Sequence, residues 1–543
     1  MGFQDGPTGR TSWSYDTGGN VVSQRTPNGT VINSNFTAAT NSSLPSTITS
    51  GSPQTTVTWT ASEAPQSSTG PNGDTTSTLY DTYGRPAQTT SSTGVVTSNT
   101  YSSAAPWTTT AITTPGANQR WTRTTVDGFG RALKVETGSG ATTNTAVSVT
   151  ETTYDACGCS PVGKTKKVSM PRKPSDSAVW NVYTYDAQGR TLTITAPDNT
   201  VKTYEYAANV VKVTDEAGKW KRYTMDGFGN LTQVEEPNPD SQSSFGNYFT
   251  TYGYDVFNRL RTVSMPRPTG TQTRGFTYPD TPGNLLLSAT NPETGTVNYT
   301  YSAGGLLQSK TDAKGQQVTY EYDNKGRLSK VHHWVKNIYG TLIEDTCQLV
   351  QLFYDANSDA TGFNNLLGRL SERKYSVCHD PNEGAGAITT NFVDMFSYTQ
   401  AGQVDKKRLR VSRGAAQRDL DAGWGYTDGR VTSVTYPTDS SNQSAGTYTY
   451  AYNALGQLNS MPGIVDTVTY GPAGEVLTIS GAYTETRTYN SRLQLTGLNG
   501  VGFTYFTSNN GKIQSQTDSA SGETITYAYD QLNRLISASS NQG

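Results

Sequence analysis

The stretch VTYEYDNKGRLSKV, Val318 to Val331, holds two strands and the turn between them. Tyr320 and Tyr322 lie two apart, so in an extended chain both rings project from one face. Asp323 to Gly326 has the form of a four-residue turn: a carboxylate at the first position accepts from backbone amides two residues on, and glycine at the fourth tolerates positive φ. Arg327 and Leu328 begin the return strand. The expected unit is a β-hairpin whose outgoing strand is aromatic and whose return strand opens with a cation and an aliphatic residue.

The unit recurs, and recurrence takes precedence over any other reading. Beside Tyr322, Asp323, Gly326 and Arg327 stand YDTYGR with Tyr80, Asp81, Gly84 and Arg85, and YDAQGR with Tyr185, Asp186, Gly189 and Arg190. YDVFNR carries Tyr254, Asp255 and Arg259, and YDQLNR carries Tyr529, Asp530 and Arg534. Looser copies start at Tyr15, Val126, Met225, Tyr301, Tyr452 and Tyr470. Tyr278 to Tyr301 is 23 residues and Tyr301 to Tyr322 is 21, a length that two strands and two turns fill.

The Tyr-Asp dipeptide, the x-x-Gly-Arg turn and this period resemble the YD repeats of Rhs (rearrangement hotspot) proteins, which also occur in teneurins and in the B and C components of insecticidal toxin complexes. The likeness runs from about Tyr15 to Leu535. It implies an all-β fold in which repeated antiparallel hairpins form one continuous spiralling sheet, a shell or open spiral. It also implies a bacterial protein, secreted or at the cell surface, that encloses a toxin domain or serves adhesion. Rhs proteins usually continue into a core region with an aspartic self-cleavage site and a variable toxic tail. Neither feature occurs here, and the chain resembles a segment of the repeat region of a longer polypeptide, or a small relative without cargo.

Composition agrees with a repeat body. The 543 residues would divide a compact protein into several domains, yet no charge block or linker interrupts the repeat. Hydrophobic residues are 33%, below the usual ~45–50%. The 33 Tyr and 8 Trp argue against disorder, because disordered chains are poor in aromatics. A thin, aromatic-rich sheet wetted over a large area fits both facts. The net charge of -2 gives no general pull toward nucleic acid or an anionic membrane. No apolar window is long enough to span a bilayer, and the N-terminus lacks the regions of a signal peptide, which fits a start placed before a mid-chain fragment.

By texture the chain falls into four parts of one repeat body: irregular repeats with Ser/Thr-rich inserts over 1–125, regular repeats over 126–331, repeats with long inserts over 332–425, and short-period repeats over 426–543. The tract from Thr37 to Thr78 has the composition of flexible linker or long loops, although VTWT at Val57 to Thr60 alternates as a degenerate strand would. Return strands share a Leu-x-x-Val pattern, as in Leu231 with Val234, Leu260 with Val263 and Leu328 with Val331. Strict alternation would send one of each pair to the wrong face, so a β-bulge just after the turn is expected. The inserts HHWVKNIYGTLIEDTCQLVQ, NSDATGFNNLLGR and SVCHDPNEGAGAITTNFVDMF are read as additions at an exposed rim, the place where a binding function would otherwise sit.

Four cysteines are present: Cys157, Cys159, Cys347 and Cys378. In an exported protein an even count favours disulfides, and Cys347 with Cys378 would close a long loop pair. Cys157 and Cys159 bridge each other only with strain; free thiols, or a zinc site with His332, His333 or His379, are the alternatives. No catalytic or phosphate-cradling motif occurs, and the repeated aspartates are explained by their turns, so no enzyme activity, cofactor or metal is expected. Two basic clusters, Lys164 to Lys173 and Lys406 to Arg418, read first as solvated sheet faces and second as sites for acidic glycans or an enclosed acidic polypeptide. Two function classes stay open: a non-catalytic β-shell wall that encloses or displays a cargo, and an adhesin that binds carbohydrate through exposed aromatic rings. End-to-end self-association through bare edges is a further expectation.

Overall fold

In the computed structural model the described residues are 2–6, 9–26, 30–37, 43–50, 54–114, 119–140, 143, 145–157, 160–239, 246–281, 283–378, 389–438 and 446–543. They form 47 strands and one short 3-10 turn, Thr346–Gln348, so the fold is all-β. Almost every strand pairs antiparallel with its successor, as in Gln317–Tyr322 with Leu328–Lys336. The chain gathers into two compact units, Met1–Ser98 with Arg274–Thr449 and Asn99–Thr273 with Tyr450–Gly543.

The hairpin chemistry explains the repeat. At Asp323 one carboxylate oxygen accepts from the amides of Lys325 and Arg327, both at 2.9 Å, while the other accepts from Arg327 Nε at 2.7 Å. The turn closes with Gly326 N–H donating to the Asp323 carbonyl at 3.0 Å, and Gly326 sits at φ 76°. In two copies asparagine replaces this glycine, at Asn258 and Asn533 with φ 60° and 62°, since its short polar side chain tolerates the left-handed region.

The expected bulge is present. Tyr320 faces Val331 and Tyr322 faces Leu328, so Ser329 is the extra residue and all four side chains share one face. The same register shift places Tyr252 and Tyr254 opposite Val263 and Leu260.

The bulge also explains why the aromatic residue is tyrosine. Between this hairpin and the previous one the ladder ends at Ser309 opposite Thr319, leaving the Leu307 carbonyl beyond the last registered pair. Tyr322 Oη–H donates to that carbonyl at 2.8 Å. Tyr301 does the same to Leu286, Tyr354 to Leu328 and Tyr398 to Leu370, at 2.8 to 3.0 Å. Each tyrosine thus supplies the donor that the splayed ladder lacks, and fastens its hairpin to the previous one.

The Ser/Thr-rich tract from Thr37 to Thr78 is not linker in its described residues. Pro45–Ser50, Gln54–Trp59, Pro65–Thr69 and Thr75–Tyr80 are strands. Threonine is β-branched and suits a half-buried pleated surface, which outweighs its polarity. A disguised repeat lies here: Trp59 Nε1–H donates to the Pro45 carbonyl at 3.0 Å, as a tyrosine would, Thr60 replaces the aspartate, and Glu63 at φ 62° replaces the glycine.

Replacing Tyr322 by Phe keeps the ring and removes only the hydroxyl. Denaturant titration of Tyr322→Phe is expected to show a loss of about 1 kcal/mol, the cost of a half-buried carbonyl left without its donor; an unchanged midpoint would contradict this role.

Candidate functional site: the turn edges and their seams

The repeat places its chemistry at two edges of the sheet. One edge carries the Tyr-Asp turns, and the opposite, far edge carries the turns that lead from one hairpin to the next. At the aspartate edge the motif residues converge in every close copy. Asp81, Asp186, Asp255 and Asp530 each accept from the amides two and four residues on and from the Nε of Arg85, Arg190, Arg259 and Arg534. Gly84 and Gly189 hold φ 75° and 79°. The hydroxyls of Tyr80, Tyr185, Tyr254 and Tyr529 reach the carbonyls of Pro65, Thr165, Leu231 and Ile513. Partial burial works against ionisation of Asp323, yet the amides and guanidinium of Arg327 outweigh it and hold the carboxyl below its ordinary range. The arginine also lies over the tyrosine of the following hairpin: Arg131 over Tyr154 at 4.1 Å, Arg190 over Tyr206 at 4.3 Å, and Arg327 over Tyr354 at 4.2 Å.

Within each unit the far edge of the first chain segment meets the aspartate edge of the second. In the first unit Thr30 Oγ1–H donates to the Lys325 carbonyl at 3.2 Å, and Asn72 exchanges two hydrogen bonds with the Leu367 backbone. In the second unit Asp215 accepts from Asn510 and Asn533 at 2.9 and 2.8 Å, Asp198 accepts from Asn509 at 2.9 Å, and Lys219 donates to Gln531 at 3.2 Å. Arg492 reaches Thr200 at 3.0 Å and Glu216 at 3.2 Å. A sequence offset of 295 occurs in both units, at Thr30 with Lys325, Asn72 with Leu367, and Asp215 with Asn510. Elsewhere the second unit holds a cavity of about 1040 Å³ lined by Arg120, Trp121, Lys173, Asn453, Gln457 and Tyr470.

The inserts do more than decorate a rim. Ala360, Phe363 and Leu366 of the second insert fold over the sheet against the fully buried Met395. Glu372, also fully buried, accepts from the Ser358 and Asp359 amides at 2.5 and 3.0 Å and anchors that insert. Asp394, buried beside Arg373, meets Lys407 Nζ at 2.9 Å. Asp355, at the start of the insert, takes both guanidinium nitrogens of Arg327 at 3.0 and 2.9 Å, Lys325 at 2.9 Å and the Gly368 amide at 2.6 Å. These donors, Arg327 foremost, hold its carboxyl far below the usual range. Spacing rules miss Glu372, Asp394 and Asp355 as anchors, because their partners arrive from the long insert or from neighbouring hairpins.

The Lys406 to Arg413 strand is not a bare cationic face. Arg408 lies opposite Asp421 and Arg410 opposite Asp419, with N–O distances of 2.6 and 2.8 Å. The signal was legible in RLRVSRGAAQRDLD, where cations and carboxylates at i, i+2 flank a tight reversal. In the other cluster Lys166 pairs with Asp155, Arg172 with Glu151, and Lys167 covers Trp180.

Cys347 and Cys378 form a disulfide with Cα atoms 5.3 Å apart, which removes both from the zinc alternative. His332 bridges Glu344 and Glu321 at 2.6 and 3.0 Å, and His333 faces the Gln348 carbonyl at 2.9 Å. The Cys157 side chain, Cys159 and His379 lie outside the described residues. Among the described residues no group of three or more His, Cys, Asp or Glu is placed to hold a metal ion.

Two predictions test these anchors. The folded-state pKa of Asp355 is depressed, so its stabilisation is complete above the ordinary value of 3.8 and is lost as pH falls through and below it. Melting of Asp355→Asn against the parent is expected to show a deficit at neutral pH that shrinks below about pH 4; a deficit independent of pH would contradict the charge pairing. The disulfide spans a sequence separation of 31. Cys347→Ser with Cys378→Ser is expected to cost about 3–4 kcal/mol of stability in the absence of reductant, and no more than the parent loses on reduction.

A family model described as the teneurin YD-shell matches residues 280–389. The crystal structure of TcdB2-TccC3 is similar to 99% of this chain at 16% identity with a TM-score of 0.68, over 32% of its own length. The Photorhabdus luminescens Tc holotoxin pore is similar over 98% of this chain and 32% of its own, at 14% identity and TM-score 0.68. The chain therefore spans about a third of the length of these structures, and the likeness is one of fold. No curated protein sequence matches it significantly.

Proposed function

Its hairpins being YD repeats of the Rhs, teneurin and toxin-complex type, we propose that this chain is a non-catalytic wall segment of a secreted or cell-surface bacterial shell, built to enclose a polypeptide cargo such as a toxin domain. The observation that carries this reading is the surface area. The chain exposes 29686 Å². A compact monomer of 58.4 kDa would expose roughly 19,000 Å², and two separate compact halves roughly 23,000 Å². A thin sheet, wet on both faces, accounts for such an excess, and among the described residues few hydrophobic side chains are fully buried. A polypeptide that folds this much chain around so little interior is suited to surrounding something else. The Tc holotoxin structures of similar fold support a toxin cargo.

The adhesin reading needs free aromatic rings. Tyr183, Tyr185, Tyr320 and Tyr322 are half-buried between hairpins, and Trp334 Nε1–H is engaged with Thr319 Oγ1 at 3.0 Å. The ladder aromatics are spent on holding the wall together.

Small-angle scattering distinguishes a wall from a compact fold. The expected radius of gyration lies well above the ~24 Å of a compact chain this long, with a pair-distance distribution skewed to long distances. A value at the compact limit overturns the reading. Micromolar glycan binding that disappears in Trp334→Ala would favour the adhesin instead.

A further inference from the structure

One copy of the repeat keeps its cation and has lost its anion. In YFTSNNGKI, Tyr505 to Ile513, the register slips between Thr504 and Tyr505 and sets Tyr505 opposite Ile513, as Tyr322 stands opposite Leu328. Tyr505 Oη–H donates to the Leu495 carbonyl at 2.9 Å and Gly511 holds φ 90°, so this hairpin belongs to the series. Lys512 stands in the place of the arginine, and Phe506 follows the tyrosine where the close copies have aspartate. The turn is longer by two residues, and none of its residues is acidic. Asn509 shapes it by accepting from the Gly511 amide at 3.0 Å, but Asn509 is neutral, and its Nδ2 donates to Asp198 and Gln494.

A pocket lies beside this turn. Phe506, Lys512, Tyr527 and Tyr529 border a cavity of about 350 Å³ together with Ala217 and Lys219, which come from the facing far-edge turn of the same unit. Its lining holds two lysines and no carboxylate. Lys512 Nζ lies 5.6 Å over the Tyr529 ring and forms no ion pair among the described residues. Lys219 Nζ donates to a neutral partner, Gln531 Oε1, at 3.2 Å, and an ammonium group has further N–H donors to give. Asp215, the acid at this seam, already takes four N–H donors: the amides of Ala217 and Lys219 at 3.0 and 2.8 Å, and Asn510 and Asn533 at 2.9 and 2.8 Å. The strand Thr524–Tyr529 has a paired neighbour on either side, Ile513–Asp518 and Leu535–Ser540, so the pocket is set within the sheet and not on a bare edge.

Two ammonium groups without a carboxylate, next to aromatic rings, specify both halves of a ligand. The cations call for an anion, and Phe506, set edge-on to Tyr529 with ring centroids 6.2 Å apart, offers aromatic surface for a second ring. The volume is at the small end of ligand sites. We propose that this pocket binds a small aromatic carboxylate, whose charge takes the place of the missing aspartate at Lys512 and Lys219 while its ring packs on Phe506 and Tyr529. A free acid and the C-terminal residue of a polypeptide ending in phenylalanine carry the same chemistry. The site does not rest on the wall reading, and its failure would leave that reading standing.

Saturation-transfer NMR titration with 3-phenylpropionate tests the site, with the uncharged 3-phenylpropionamide as control. The parent is expected to bind the acid with a dissociation constant of about 1 mM, the scale for a ligand of this size. The amide is expected to bind at least about tenfold more weakly, because hydrogen bonds to a charged partner are the stronger ones. Lys512→Gln keeps the length and loses the charge; it should weaken the acid about tenfold and leave the amide unchanged. Phe506→Asp returns the carboxylate of the repeat and should abolish binding of the acid. An unchanged circular dichroism spectrum verifies that both variants are folded. N-acetyl-Gly-Gly-Phe separates the sources: binding as tight as that of the free acid supports a polypeptide C-terminus, and its exclusion supports a free acid. The proposal is overturned if the parent shows no transfer to the acid up to about 10 mM, if the amide binds as well as the acid, or if Lys512→Gln binds the acid as the parent does.

Discussion

A phenol hydroxyl donating to a backbone carbonyl one hairpin away is the interaction on which the fold rests. A sheet that bulges at its Tyr-Asp turns leaves carbonyls there without ladder partners, and a buried unpaired carbonyl costs about as much as a hydrogen bond contributes. The Tyr322 hydroxyl removes that penalty at Leu307, and the Tyr354 hydroxyl does so at Leu328. The bulge adds twist, and the tyrosine makes the bulge tolerable. Aspartate and arginine complete the unit, since the Asp323 carboxylate shapes the turn and orients Arg327, whose guanidinium then lies over Tyr354. Three residue types cover bend, closure and attachment.

This economy explains how the protein does without a conventional core. Glu372 and Asp394 are among its most deeply buried side chains, beside Met395 and Trp121. Buried acids are tolerated where amides and cations converge on them, as the Ser358 and Asp359 amides do on Glu372. Stability is instead spread along hairpin-to-hairpin contacts, each dependent on its neighbours.

The hairpin was legible in the sequence because its signals are local. Tyr320 and Tyr322 fix a face, Asp323 and Gly326 fix a turn, and the Leu328 to Val331 spacing gives away the bulge. What escaped was long-range or disguised. Trp59, Thr60 and Glu63 do the work of tyrosine, aspartate and glycine with other chemistry, so the repeat carries no Tyr-Asp signature there. The seam between Asp215, Asn510 and Asn533 joins residues whose spacing follows from the geometry of many stacked strands. No local rule reaches that far. The insert that seats Phe363 and Leu366 on Met395 read as loop because its apolar residues have no strand or helix period.

The offset of 295 residues between mated turns has a consequence for biosynthesis. At ~5–20 residues per second, a ribosome needs roughly 15 to 60 s to deliver the mate of a turn already made. Hairpins can zip up one after another during that wait, but each far edge stands open until its counterpart emerges. Tips such as Asp215 and Asn72 are soluble while they wait, whereas aromatic tips there would invite capture by neighbouring nascent chains. The polarity of the internal joints is thus a timetable as much as a bond, written for a polypeptide that must remain unfinished for up to about a minute without sticking to its surroundings.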